Sequence, residues 1–255
     1  MLAYSQALRE PVSARYVGLG AYSNHFSDVF SFTANQASLT KAKTVEAGLY
    51  SERKFLLDVA SFYQGVLVIP SKKGNVGVEA SYFGFTKYHE SQVGFAYAKT
   101  LGKVDVGIKF NYYSVGISGY GTASNINFEA GTIAQLTSKL FAGFEVYNPL
   151  GGTLGKTTEK LRSIYKFGMG YEGSDRFFTG MEIVKEEDVP VNVNVGFQYF
   201  FIKQFYLKAG IATETTNTYC GAGLSWKNMR LDISVSYHPQ LGFSPGLMVQ
   251  SNFPK

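Results

Sequence analysis

The sequence predicts an all-β protein, namely a transmembrane antiparallel β-barrel of about fourteen strands with an N-terminal plug segment. Three observations lead to this prediction: long runs of strict apolar–polar alternation, tyrosines at the ends of the apolar faces, and tight turns that interleave with longer spacers. The composition agrees, because aromatic residues make up 16% of the chain, charged residues only 17%, and Gly occurs 28 times. Aromatic residues favour strands, and an ordinary soluble domain carries about a quarter charged residues.

The first predicted element is an N-terminal segment, residues 1–43. Its start, MLAYSQA, is short and apolar and is interpreted as a signal-peptide remnant that ends near Ser5. Residues 7–43 lack clean alternation, yet they are too apolar for a free tail. We therefore expect this segment to enter the barrel lumen as a plug, with a turn of helix over NQASL (35–39).

The second predicted element is the barrel, residues 44–255. In the stretch KVDVGIKFNYYSV (103–115), one parity is apolar and consists of Val104, Val106, Ile108, Phe110 and Tyr112. The other parity is polar and carries both signs of charge. Such alternation is the signature of a strand that is buried on one face. It recurs along the chain and gives about fourteen candidate strands between Thr44 and Phe253.

The spacers between the candidate strands fall into two groups. LTSK, YEGSD, FIKQ, WKN and KTLGK are tight, whereas TKYHE, VGISGYGTASN, NPLGGTLGKTTEKL and HPQLGF are longer. Outer-membrane barrels have short periplasmic turns and longer outer loops. An even number of strands then places both termini on the short-turn, periplasmic side. Within the longest spacer, LGKTTEKLRS is the other candidate for a helix.

A soluble β-sandwich is the main alternative fold. Two features weigh against it: the strands run for about ten to twelve residues, which suits a tilted membrane strand, and the apolar faces often end in Tyr. Aromatic residues at the edges of an apolar band form the interfacial girdle of a membrane barrel. The tyrosines in question are Tyr82, Tyr97, Tyr112, Tyr171, Tyr199 and Tyr237.

The polar parity is predicted to face the lumen. The charged residues on it are Glu46, Glu79, Asp105, Lys109, Glu129, Glu145, Lys166, Glu182, Lys208, Arg230 and Asp232. Both signs occur, so that pairs can form, and we interpret these residues as structural rather than as transport sites. Inward glycines leave room for a plug, for water or for bulky neighbours; they are Gly77, Gly94, Gly107, Gly131, Gly143, Gly168, Gly196 and Gly210.

Several chemistries find no support in the sequence. The net charge is +5, but Lys and Arg are scattered, which makes a poor nucleic-acid surface. The single cysteine, Cys220, rules out an internal disulfide and a CxxC site, and it is predicted to face lipid. His25, His89 and His238 show no metal spacing. His89 is placed in a loop. We expect a non-enzymatic protein without cofactor or metal.

The run ARYVGLGAYSNHFSDVFSFTANQASL (14–39) resembles the N-terminal hatch of the FadL-like outer-membrane superfamily. That hatch has an A-R-x-x-G-x-G-G-A stretch and then an N-P-A-x-L motif before the first strand. The matching positions here, called the plug motif, are Gly18, Gly20, Ala21, Asn35, Ala37 and Leu39. Gln36 replaces the usual proline. The closing SYHPQLGFSPGL (236–247) resembles the last hairpin of Bacteroidota members of the PorV and PorQ type, which are linked to type IX secretion.

The resemblance implies a plugged fourteen-stranded barrel in the outer membrane of a Gram-negative bacterium, and it implies two different functions. PorV-type proteins are partners of protein-export machinery. Our first hypothesis is therefore an accessory subunit that contacts outer-membrane lipids and a larger outer-membrane protein or a secretion or assembly complex. The chain is shorter than the transporters of this superfamily, with shorter loops, and this, together with the expected filled lumen, favours the accessory subunit. The alternative is a FadL-like channel for hydrophobic small molecules, which the charged inward face disfavours.

Overall fold

The computed structural model describes residues 19–154, 161–213 and 217–254 and contains one closed barrel of fourteen antiparallel strands. The predicted fold class is confirmed. Each strand pairs with its neighbours in the sequence, and β1 pairs with β14 to close the wall. The strands are β1 Val45–Arg53, β2 Ser61–Ile69, β3 Asn75–Phe85, β4 Tyr88–Leu101, β5 Val104–Ile117, β6 Gly121–Gln135, β7 Leu140–Tyr147, β8 Ile164–Ser174, β9 Phe177–Glu186, β10 Asn192–Ile202, β11 Phe205–Ala212, β12 Asn217–Trp226, β13 Met229–His238 and β14 Gly242–Phe253.

The wall is closed by continuous ladders. The β1–β14 ladder runs from the Val45–Phe253 pair to the Glu52–Gly246 pair. Among the described strands the register shifts at two places, near Glu172 in β8 and near Phe200 in β10. Closure satisfies the backbone hydrogen bonds of every strand and leaves no sheet edge, which is the condition for a β structure in a hydrocarbon environment.

The two faces of the wall differ as the alternation predicts. In β5, Phe110 and Tyr112 are each 53% exposed on the outside, whereas Lys109 and Asn111 are 2% and 1% exposed on the inside. The outer face is thus an apolar band that would gain free energy from contact with lipid, and the inner face is a buried polar surface. The aromatic ends of the band are exposed as well, with Tyr82, Tyr97, Tyr171, Tyr199 and Tyr237 between 37% and 44%.

The connections at the two ends of the barrel are more alike than the sequence predicts. We call the end that holds Phe253 the turn end and the opposite end the loop end. At the loop end, the connection within TKYHE consists only of residues 86–87. The connection within VGISGYGTASN consists only of residues 118–120. The expectation of long loops at these two places was wrong. Their polar, Gly-rich residues continue the β4–β5 and β5–β6 ladders instead, which gives these strands 14 to 15 residues each.

Two further sequence-based assignments also need correction. His89 lies within β4 rather than in a loop, and HPQLGF contributes only residues 239–241 to a connection, because His238 ends β13 and Gly242 begins β14. The described parts of the long connection between β7 and β8, residues 148–154 and 161–163, form no strand or helix element. Most of the helical candidate LGKTTEKLRS (154–163) lies outside the described residues.

Short 3₁₀ helices lie in the plug region and between β1 and β2. They are Ser31–Thr33, Gln36–Lys41, Lys54–Leu56 and Asp58–Ala60. The second of them covers the predicted helical turn in NQASL. Among the described residues, no helix has the length and apolar character to span a membrane.

Candidate functional site: the plugged lumen

Residues 19–41, which are most of the described part of the N-terminal segment, lie inside the barrel and are folded by their own short polar side chains. The Oδ1 atom of Asp28 accepts the N–H of Phe30 at 2.9 Å. The Oδ1 atom of Asn35 accepts the N–H of Ala37 at 3.1 Å and so caps the helix Gln36–Lys41. Asp and Asn are favoured at such positions because their side chains reach the nearby backbone N–H groups. These local bonds keep the segment compact. We call residues 19–41 the plug.

The plug motif maps to buried contacts. Asn35 is fully buried, and its Nδ2 atom donates to the carbonyl oxygens of Thr132 in β6 and Phe144 in β7 at 3.4 and 3.3 Å. Ala37 and Leu39 are also buried against the wall. Gly20 lies in a tight turn, since a Cβ atom there would be 3.0 Å from the carbonyl oxygen of Phe26. Gly18 lies outside the described residues.

Inward glycines form the surface on which the plug rests. A Cβ atom at Gly77 would be 2.9 Å from Leu39, and one at Gly143 would be 2.9 Å from the Tyr22 ring. At other positions a Cβ atom would overlap the plug outright, which occurs at Gly107, Gly131, Gly168 and Gly170. Glycine in a strand often marks such a close approach of another chain segment. The remaining predicted inward glycines, Gly94, Gly196 and Gly210, accommodate lumen side chains, and Gly196 also accommodates Leu19.

The predicted charged residues on β3, β5 and β6 meet in one buried group, the Lys109 cluster. The Nζ atom of Lys109 lies 2.9 Å from Glu79 Oε2 and 3.1 Å from Glu129 Oε1. Lys109 reaches Glu79 across the inward Gly94 of β4, where a Cβ atom would be 3.3 Å from Lys109 Cδ. The Nε2 atom of Gln36 in the plug donates to Glu129. This cluster therefore ties the plug to the wall.

A second buried group, the Lys166 cluster, lies on β7, β8 and β9. Lys166 Nζ is 2.9 Å from Glu145 Oε2. The hydroxyl of Tyr22 in the plug donates to Glu182 Oε1 at 3.2 Å. Burial, together with the nearby carboxylates of Glu182 and Glu145, raises the pKa of Tyr22 well above its ordinary value. Its phenol therefore stays protonated and can keep donating to Glu182.

A third group, the Asp232 cluster, lies on β11 and β13. Asp232 is 2.9 Å from both Lys208 Nζ and Arg230 Nε, and it accepts the hydroxyl of Tyr206 at 2.5 Å. Arg230 Nε also contacts the Tyr206 hydroxyl. The Nη2 atom of Arg230 is 3.8 Å from Asp28 Oδ2, so this cluster also contacts the plug. Buried charges that are paired and hydrogen-bonded in this way avoid most of the desolvation cost.

Two further carboxylates bind the ends of the plug. Asp105, near the turn end, is 2.7 Å from Lys41 Nζ and accepts the Thr100 hydroxyl at 2.6 Å. Glu172 Oε1 accepts the Ser23 hydroxyl and the N–H of Asn24, each at 2.6 Å, and Oε2 lies 2.7 Å from His25 Nδ1. The last predicted lumen carboxylate, Glu46, is half-buried.

Sequence reasoning missed Glu172, which accepts two backbone N–H groups of the plug. YEGSD was assigned to a turn, although Glu172 continues the inward parity of Lys166, Gly168 and Gly170. Tyr206 and Tyr219 were missed as well. Each lies beside an inward glycine of the paired strand, Gly223 for Tyr206 and Gly210 for Tyr219. An inward tyrosine across from a glycine is the signal that could have identified them.

The described residues of the connection between β7 and β8, 148–154 and 161–163, cover the lumen at the loop end. Leu154 and Leu161 are buried in the same apolar cluster as Phe62 and Tyr113. Asn148 Nδ2 donates to the Leu161 carbonyl oxygen at 2.7 Å and fixes this connection. Between this cover and the plug remains a cavity of about 40 Å³, enough for a few water molecules. Its lining combines the Lys109 cluster with Glu145 and Lys166 and with apolar residues such as Phe62 and Ile164.

The histidines and the cysteine sit apart from these clusters, except for His25. His89 stacks on Tyr82 with ring centroids 5.9 Å apart, and His238 Nδ1 accepts the N–H of Gln240 at 3.2 Å. Cys220 is exposed on the outer face. Across residues 19–154, 161–213 and 217–254, no group of His, Cys, Asp and Glu is placed to hold a metal ion.

The sequence matches no protein-family model and no curated protein. Solved barrels share its fold. CymD, a monoaromatic hydrocarbon channel, gives a TM-score of 0.69 at 13% identity over 94% of this chain and 98% of that one. The toluene transporter TbuX of Ralstonia pickettii gives 0.68 at 12% identity over 89% and 94%. A FadL homologue of Pseudomonas aeruginosa gives 0.65 at 12% identity over 93% and 96%.

Because the sequence identities are only 12–13%, these comparisons show that the chain is similar to the solved barrels in fold. The similarity extends along nearly the whole chain and covers the closed fourteen-strand antiparallel wall.

Proposed function

We propose that this chain is an outer-membrane barrel of a Gram-negative bacterium that passes small hydrophobic molecules through its lumen. The observation that carries the proposal is the end-to-end fold match to barrels described as a monoaromatic hydrocarbon channel and a toluene transporter. The wall supports a membrane location, because its outer face is a continuous apolar band with exposed tyrosines at the edges. This proposal takes up the alternative from the sequence in preference to the accessory subunit.

Passage requires the plug to move, and the way the plug is bound permits this. Hydrogen bonds and ion pairs join it to the wall through Glu129, Glu172, Glu182, Asp105 and Arg230. Each such contact contributes only about 0.5–3 kcal/mol. The chain has a single cysteine, so that no disulfide anchors the plug. A shift of the plug would open the turn end, and a shift of residues 148–154 and 161–163 would open the loop end.

Uptake of labelled toluene tests the proposal. Cells whose outer membrane carries the protein should take up toluene faster than cells that carry an unrelated small barrel. Ser23→Cys and Glu172→Cys, in a Cys220→Ser background, place two thiols where Ser23 and Glu172 now touch. Joining them with a short bifunctional thiol reagent should suppress uptake, and the unreacted variant should retain it. Equal uptake by both types of cell would contradict the channel.

The accessory-subunit hypothesis remains a second proposal, because one observation favours it: the lumen is filled by the plug and covered at the loop end. Such a barrel can act through its outer surface without conducting anything. Under this proposal a larger outer-membrane protein should co-purify in near-equal amount after gentle solubilisation. A clean monomer would count against it. Membership of the PorV type and periplasmic termini remain proposals that rest on the terminal motifs and on the short turns.

A further inference from the structure

The lumen has a charge balance opposite to that of the whole chain. The chain carries a net charge of +5, yet nine inward carboxylates are buried among the described residues. Seven of them are described above, and the other two are Glu52 and Glu90. In the part of the chain that the structure describes, the plugged lumen holds five cationic side chains below the rim at the loop end, and these are Lys41, Lys109, Lys166, Lys208 and Arg230. Most of the other basic residues that the structure describes lie outside the lumen.

Each of these five cations already has a carboxylate partner within 2.9 Å. Lys41 lies 2.7 Å from Asp105, Lys109 2.9 Å from Glu79, and Lys166 2.9 Å from Glu145. Lys208 and Arg230 share Asp232 at 2.9 Å. A carboxylate that entered this lumen would lose its water and find these cations occupied, and it would meet further acidic oxygens. An uncharged molecule of the same shape meets no such repulsion.

The charged clusters lie on the path of any molecule that crosses the lumen. They occupy inward positions on β3, β5 and β6, on β7 to β9, and on β11 and β13. Glu79, Glu129 and Glu145 also line the cavity between plug and cover, beside apolar Phe62 and Ile164. That cavity thus offers apolar contact together with acidic oxygens.

We propose that the lumen selects by charge: it admits uncharged apolar molecules and rejects those that carry a carboxylate. Glu79, Glu129 and Glu145 are the specificity-determining residues, and they act by keeping Lys109 and Lys166 neutralised. This inference rests on the proposed channel function and names its substrate class.

The test compares toluene with benzoate, an anion with the same ring, in cells with and without the protein at neutral pH. Toluene uptake that depends on the protein should exceed benzoate uptake by about tenfold or more, as expected from a like-charge penalty. The double variant Glu79→Gln, Glu129→Gln leaves Lys109 without a carboxylate within 3.1 Å. It should raise benzoate uptake about tenfold, since a freed buried cation attracts an anion. The quantity compared is the ratio of benzoate uptake to toluene uptake, which corrects for any effect of the double variant on the plug that Glu129 holds.

Asp58→Asn serves as the matched control. Asp58 lies on the loop 54–60, and its exposed carboxylate pairs with Arg53 at the end of β1. The Asp58→Asn variant should change neither rate. Glu145→Gln with Glu182→Gln provides a second lumen variant that frees Lys166, should the first fail to assemble. Equal uptake of toluene and benzoate by the wild type, or variants that leave benzoate excluded, would overturn the charge selection alone. No protein-dependent uptake of toluene would overturn the channel and the selection with it.

Discussion

The ring of Tyr22 lies directly against the backbone of Gly168, in space that any side chain at position 168 would fill. The contact places the plug beside β8 and leads the Tyr22 hydroxyl to Glu182 on β9. Because glycine has no Cβ atom, the Tyr22 ring can pack against the backbone here, so the position of the plug at this point depends on Gly168.

Gly168→Ala is expected to displace the plug. The added methyl group would overlap the Tyr22 ring, and overpacking of this kind costs about 1–3 kcal/mol. We expect faster proteolysis of the plug and a higher conductance of the protein in planar bilayers. Gly65→Ala is the control, because its Cβ atom would face outward at an ordinary 3.4 Å from Leu49. If both variants conduct and are cleaved alike, Gly168 does not seat the plug.

Glu172→Gln is expected to loosen the plug around residues 23–25. The carboxylate accepts from the Ser23 hydroxyl and two backbone N–H groups and contacts His25. Hydrogen bonds to a charged group contribute about 1.5–3 kcal/mol, and about 1.4 kcal/mol is a factor of ten in the open population. Cleavage within the plug by a protease added from the turn end should therefore be about tenfold faster. Glu187→Gln, on an exposed loop, should leave the rate unchanged; a similar increase there would point to a general charge effect.

Alternation in the sequence predicts the wall because successive side chains of a strand point to opposite faces, so that apolar residues face outward and polar residues inward at a period of two. Lys109 and Asp105 were placed on the inward face in this way, and both are buried there. Parity does not tell which partner each one meets. Lys109 pairs across Gly94 with a strand two places away, and Asp105 pairs with Lys41 of the plug. Those contacts depend on strand register and on the path of the plug, neither of which leaves a local sequence pattern.

Loop lengths were the weakest part of the sequence-based prediction. GISGYG and its neighbours have the Gly, Ser and Asn content of a loop. In the barrel Gly116 and Ile117 extend β5 and Gly121 begins β6, so that only residues 118–120 form the connection. Hydrogen bonding to a long neighbouring strand thus keeps these residues in a strand despite their loop-like composition. The length of the neighbouring strand cannot be read from the segment itself.

Lys109→Met is expected to destabilise the barrel more than a triple variant in which Lys109, Glu79 and Glu129 are all replaced by uncharged residues. The single change leaves Glu79 and Glu129 buried without their cation, and breaking a buried ion pair costs about 3–5 kcal/mol. The triple variant Lys109→Met, Glu79→Gln, Glu129→Gln removes the charges together and should recover most of that loss. Urea unfolding of the three proteins in detergent micelles measures the differences. A triple variant that is less stable than Lys109→Met would show that the glutamates stabilise the fold independently of the lysine.

Phe110→Lys is expected to impair assembly because Phe110 lies midway along β5 on the outer face, opposite Phe95 and Phe128. A lysine at the bilayer midplane costs about 2–4 kcal/mol, whereas near the interface the cost falls to about 0–1 kcal/mol. Val104→Lys is the matched control, since Val104 begins the same strand on the same face and is also exposed. Folding into lipid vesicles, followed by the shift between folded and boiled protein on a gel, measures the yield. A membrane location therefore requires Phe110→Lys to fold less well than Val104→Lys, and equal yields would mean that this face does not meet the hydrocarbon core.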